Sequence, residues 1–181
     1  NYIYEELKNN PEEHKDLNNK IKSKKNWFVV KEKEPGNIIF NYYIRNSTPF
    51  IYNPKKLLVS DNFYNLYFNE HVFELLSILN STITKVALYK FSRNQGKGLF
   101  KIQLQQFKDI PIINPQKLDK NSKDILNRLG QKLTTTDRYN SKEIIDKIDS
   151  VLIREINQNQ NEMIDKDKLF AFINRAKGKN N

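Results

Sequence analysis

Residues 69–102 read NEHVFELLSILNSTITKVALYKFSRNQGKGLFKI. Val72, Leu75, Leu76, Leu79, Ile83, Val86 and Ala87 recur at helical spacing, which predicts one helix, or two helices meeting near Asn80-Ser81-Thr82. A loop with two glycines, Arg93-Asn94-Gln95-Gly96-Lys97-Gly98, follows, and Leu99 to Ile102 reads as one more strand. A helical stretch feeding a Gly-containing loop and a short strand is the local pattern of helices packed against a sheet.

Upstream of this stretch the chain is built of short β-type runs. They are Trp27-Phe28-Val29-Val30, Ile38 to Ile44, Phe50-Ile51-Tyr52, Leu57-Leu58-Val59 and Phe63 to Phe68. Turn residues separate them at Pro35-Gly36-Asn37, Asn46-Ser47-Thr48-Pro49, Asn53-Pro54 and Asp61-Asn62. Ahead of them, Asn10-Pro11-Glu12-Glu13 predicts a helix start, with Asn at the N-cap and Pro at the first helical position. Downstream of Pro115 three amphipathic helices are expected, capped by Ser122, Ser141 and Asp165. Phe107 to Pro115 reads as a turn entering an extended segment. The expected class is therefore α+β: short, mostly antiparallel strands packed with helices, followed by a C-terminal helical region. The expected organisation is a core over 1–115 and a helical region over 116–181.

Composition narrows the function. With no Cys, thiol catalysis, zinc–thiolate sites and disulfide scaffolds are excluded. No apolar run approaches the ~20 residues of a membrane span, and the first 25 residues are too charged for a signal peptide; the expectation is a cytoplasmic protein. The lone methionine is Met163, so the chain reads as a piece of a longer protein, with processing or a removed tag as the alternative.

Net charge is +10, from 31 basic and 21 acidic residues, which favours an anionic partner and nucleic acid first. Lys outnumbers Arg 25 to 6 and Asn also reaches 25, a skew expected of AT-rich coding sequence, so part of the charge is compositional drift.

Catalytic patterns are missing from the sequence. It holds no GxGxxG or GxxxxGK[ST] loop, no HExxH, and two histidines, His14 and His71, far apart. No nucleophile, base and oxyanion site can be assembled, so no catalytic, cofactor-binding or metal-ligating residue is expected here.

The basic residues do form a pattern. Residues 85–108 carry six basic side chains and no acidic one. Arg93 can pair bidentately with guanine, and Asn94 or Gln95 with adenine; Lys97 and Lys101 suit phosphate as point charges. A second cluster, Arg45 and Asn46, ends a predicted strand; a third holds Asn62 and Tyr64; Lys24 and Lys25 close the first predicted basic helix. Against these stands the reading of a solvated turn and of lysines that balance a helix dipole.

The order of these features resembles the C-terminal target recognition domain of TaqI-like N6-adenine DNA methyltransferases, a group that includes the type IIG restriction–modification enzymes. The residues that carry the resemblance run in sequence: Trp27-Phe28-Val29-Val30, Phe50-Ile51-Tyr52-Asn53, Asp61-Asn62-Phe63-Tyr64, Leu79-Asn80-Ser81-Thr82, Leu99-Phe100-Lys101-Ile102, and Phe107-Lys108-Asp109-Ile110-Pro111-Ile112. Type I specificity subunits share the Leu-Asn-Ser helix and the Ile-Pro element. The catalytic tetrapeptide Asn/Asp-Pro-Pro-Tyr/Phe is missing, and Asn53-Pro54-Lys55-Lys56 is no substitute. The resemblance thus implies the specificity half of such an enzyme. Its partners would be double-stranded DNA and an N-terminal methyltransferase domain of the same chain, which would bind S-adenosylmethionine. Half of a type I specificity subunit and a protein-interaction module remain the alternatives.

Overall fold

A computed structural model of the chain describes residues 2–16, 34–45, 50–137, 140–158 and 163–178. Two compact units are present, residues 1–34 and 35–181. Within the first, helix α1 spans Tyr2–Asn9. Asn10 does not open a helix as the sequence suggests. Its backbone N–H donates to Glu6 O at 3.0 Å and its amide donates to Glu6 Oε1 at 2.9 Å, so it closes α1. The strand expected at Trp27–Val30, and Lys24, Lys25 and Asn46, lie outside the described residues.

The second unit is α+β. Among the described residues six strands follow one another as β1 (Ile38–Asn41), β2 (Tyr43–Ile44), β3 (Phe50–Tyr52), β4 (Phe63–Leu66), β5 (Arg93–Asn94) and β6 (Phe100–Lys101). They form two antiparallel three-stranded sheets, ordered β3-β1-β4 and β2-β6-β5. The run Ile38 to Ile44 is therefore not one strand. Tyr42 interrupts it, with its N–H donating to Asn62 O and its carbonyl accepting from Ile102 N, and passes the chain from one sheet to the other. The expected strand at Leu57-Leu58-Val59 does not form either. Leu57 and Leu58 are 60% and 66% exposed, and Leu57 N–H is taken by Asn53 Oδ1 at 2.9 Å. A run of apolar residues makes a strand only where a neighbour supplies the ladder.

Helices α2 (Val72–Asn80) and α3 (Thr82–Phe91) meet at Ser81 with a bend of 65°. The hinge is built from polar side chains acting as backbone. Asn80 Oδ1 accepts from Phe50 N–H at 3.0 Å, and Asn80 Nδ2 donates to the carbonyls of Phe50 and Leu76. Ser81 Oγ accepts from Thr84 N–H and caps α3. After the short α4 (Leu104–Lys108) and a 3-10 turn at Pro115–Lys117 come α5 (Lys120–Thr135), α6 (Lys142–Gln158) and α7 (Lys166–Gly178). The cap of α5 is Asp119, whose carboxylate accepts from Ser122 N–H at 2.8 Å, and not Ser122 itself. Ser122 is buried one turn in, where its hydroxyl donates to Glu155 Oε1 at 2.5 Å and accepts from Arg154 Nη2 at 2.8 Å.

One core joins the two sheets to α2, α3 and α7 through Ile38, Phe40, Ile44, Leu76, Leu88 and Ile173. A second joins α2 to α5 and α6 through Ile78, Leu126, Ile148 and Leu152. Helices α2 and α5 cross closely because position 130 is Gly: a Cβ there would lie 2.0 Å from Phe73 O. No single helix among the described residues is long and apolar enough to cross a membrane.

Candidate nucleic-acid interface

The acid-free segment 85–108 folds as the end of α3, a hairpin and α4. The hairpin pairs Arg93 with Lys101 and Asn94 with Phe100. Its tip is held by Gln95 N–H to Leu99 O at 2.7 Å and Leu99 N–H to Gly96 O at 3.0 Å. Gly96, Lys97 and Gly98 all take positive φ, at 88°, 51° and 70°. Two of these positions are free of the Cβ penalty and the third, Lys97, bears it. Asn94 Oδ1 accepts from Gly96 N–H at 2.7 Å, so this side chain shapes the turn. Gln95 and Lys97 are exposed.

Strand β6 is central, and β2 pairs on its other edge with Tyr43 opposite Lys101 and Ile44 opposite Phe100. Alternation along strands puts Ile44 and Phe100 on the buried face and Tyr43, Lys101 and Arg93 in a row on the other. Lys101 Nζ lies 5.1 Å from the ring centre of Tyr42 and 5.4 Å from that of Tyr43, within cation–π range. Tyr43 is 38% exposed. Arg45, just past the end of β2, is exposed, and its carbonyl accepts from Tyr89 Oη at 2.5 Å.

The structure thus brings Arg45, Lys101, Arg93, Asn94, Gln95 and Lys97 to one small sheet and its hairpin. Asn62 adjoins it through Tyr42, whose hydroxyl donates to Asn62 Oδ1 at 2.9 Å. Tyr64 sits deeper. Its hydroxyl donates to Ile102 O at 2.9 Å and its ring packs on Phe107 and Tyr42. Burial, and then the neighbouring Tyr42, push its phenol above the ordinary value. Tyr43 was not singled out from the sequence. The signal that could have found it is strand alternation, since it shares parity with Arg45 in the run that ends at that cation.

The chain matches the family described as type II methyltransferase M.Eco57I, C-terminal domain, over residues 3–153. The chain belongs to that family. The resemblance to a type IIG methyltransferase C-terminal domain is borne out by this match. No curated protein matches the sequence. In this member of the M.Eco57I C-terminal-domain family, the Asn-Pro pair at 53–54 serves the backbone. Asn53 is 4% exposed and spent on a turn, its Nδ2 donating to Gly36 O and Leu57 O and its Oδ1 accepting from Leu57 N–H. Among the described residues no group of three or more His, Asp or Glu could hold a metal ion. An apolar cleft of about 240 Å³ between Phe50, Leu79, Leu88 and Phe107 has Thr84 and Lys108 as its polar lining, and Thr84 Oγ1 already donates to Ile78 O.

Proposed function

We propose that this chain is the DNA-recognition domain of an N6-adenine methyltransferase of a restriction–modification system, acting in the cytoplasm on double-stranded DNA. The observation that carries the reading is the Tyr43–Lys101–Arg93 row, continued by the Lys97 hairpin tip, in a member of the M.Eco57I C-terminal-domain family. A row of one aromatic and two cations across three strands suits a polyanion with stackable or groove-lining parts. Arg93 offers a planar fork to base edges, and Lys97 a point charge to phosphate. A methyltransferase domain N-terminal in the same polypeptide binds S-adenosylmethionine, flips the adenine and transfers the methyl group; this chain selects the site.

The test is a fluorescence titration of the chain with duplex DNA at several salt concentrations. Log affinity should fall linearly with log salt, by roughly 0.9 per neutralised phosphate. Absence of binding at low salt, or binding that salt does not change, would overturn the reading.

A further inference from the structure

Helix α7 (Lys166–Gly178) lies beyond the matched residues 3–153, yet it is not an appendage. Ile173 is 4% exposed in the core shared with the two sheets, and Ala176 packs on the same core. From Lys168 to the end of the chain the sequence carries four basic and no acidic side chains. Lys177, four residues after Ile173, is therefore carried on the flank of the helix that meets α3.

There it meets Tyr89. Lys177 Nζ lies 5.8 Å from the Tyr89 ring centre. The hydroxyl of the same ring donates to Arg45 O, and the ring meets that of Phe100 edge to face at 5.0 Å and 89°. One tyrosine thus ties the basic end of α7 to Arg45, just past β2, and to Phe100 on β6, the strand that carries Lys101. Lys85, one turn before Tyr89 on α3, joins the group. Burial lowers its pKa, and the charge of Lys177 lowers it further, while Asp149 acts in the opposite direction. A helix dipole accounts for a cation in the last turn. Lys177 and Lys85 belong to different helices, and their charges act on one another beside the ring to which the exposed Arg45 offers its carbonyl.

We infer that Lys177, seated at Tyr89 with Lys85 one turn away on α3, is a second phosphate-contact patch for duplex DNA, supplied by α7 beside the sheet that bears the Arg93–Lys97 hairpin. The inference rests on the DNA reading above and deepens it. The hairpin meets bases and local backbone, and the Tyr89 patch receives the phosphate backbone further along the duplex. Its contacts carry no sequence information.

The test uses the 181-residue chain, its Lys177→Gln and Lys177→Arg variants, and duplexes of two unrelated sequences. Circular dichroism establishes that each variant is folded. Lys177→Gln should reduce the salt slope by about 0.9 and weaken both duplexes by one common factor, and Lys177→Arg should restore the slope. A purely structural lysine would change thermal stability and leave the slope alone. If the parent binds duplex DNA and folded Lys177→Gln keeps the parent's slope, this inference fails and the DNA reading stands. If the parent binds no duplex at low salt, both fail.

Discussion

Asp149 Oδ1 accepts a hydrogen bond from the backbone N–H of Thr82 at 2.8 Å, across 67 residues of sequence. A carboxylate on α6 thereby satisfies an N-terminal amide of α3, at the hinge that aims α3 and its hairpin. Asp149 is 0% exposed. Burial raises its pKa above the ordinary 3.8, opposed by the Thr82 bonds and the charge of Lys166, while Asp146 adds to the rise.

Replacing Asp149 with Ala should cost about 1–3 kcal/mol, because it removes the cap and leaves the Thr82 amide buried. Asp149→Asn keeps an oxygen acceptor and should retain most of the stability. Because the folded carboxyl holds its proton more tightly than the unfolded one, its contribution is present at low pH and is lost as pH rises from 3.8 through the higher folded value. The stability of Asp149→Asn relative to the parent should therefore rise with pH across that window. Urea unfolding of both proteins from pH 3.5 upward checks this; a pH-independent difference would contradict it.

Asp119 runs the opposite way. The Ser122 backbone N–H, then the bond from Glu155, hold its carboxyl down at about 2. Its stabilising contribution is full above 3.8 and fades as pH falls from 3.8 towards 2. Asp119→Asn can still cap α5, so parent and variant should differ at pH 6 and converge on acidification. Thermal midpoints measured between pH 2 and 6 decide it.

Gly130→Ala tests the crossing of α2 and α5. Helix propensity alone would make Ala more stable by about 1 kcal/mol. The 2.0 Å approach to Phe73 O is backbone and cannot yield without moving a helix. The substitution should therefore destabilise by about 1–3 kcal/mol, read by chemical denaturation. A stabilised variant would mean that the two helices are further apart than described.

At the hairpin tip, Lys97→Gly separates charge from backbone. Lys97 takes φ 51°, which Gly adopts without penalty. The variant should be at least as stable as the parent, yet on the DNA reading it should bind every duplex less tightly, with a salt slope lower by about one unit. Arg93→Ala should instead cost ~1–3 kcal/mol of discrimination at one position of the target when measured in the full-length enzyme. Equal affinity of both variants and the parent for all sequences would remove the hairpin from the DNA.

Several features were legible in the sequence because a few neighbouring residues decide them. The break at Asn80-Ser81-Thr82 is local: Ser81 bonds Thr84 three residues on and Asn80 bonds Leu76 four residues back. The start of α7 is likewise local, with Asp165 Oδ1 accepting from Lys168 N–H at 2.8 Å. Charge, the acid-free run 85–108 and the missing catalytic tetrapeptide were readable as composition alone. Other features depend on partners far along the chain. Tyr42 divides Ile38 to Ile44 between two sheets because Asn62 and Ile102 take its backbone groups, and Leu57-Leu58 joins no sheet because, among the described residues, no strand lies beside it and the Asn53 side chain takes the backbone of Leu57. Tyr64 reads as a surface candidate but turns inward to Ile102 O, 38 residues away. The row of Tyr43, Lys101 and Arg93 exists only through strand register, which a one-residue slip would reverse to the other face. Local hydrogen bonding and charge were thus written in the sequence, whereas which side chains share a face was decided by pairing between segments that only the folded chain brings together.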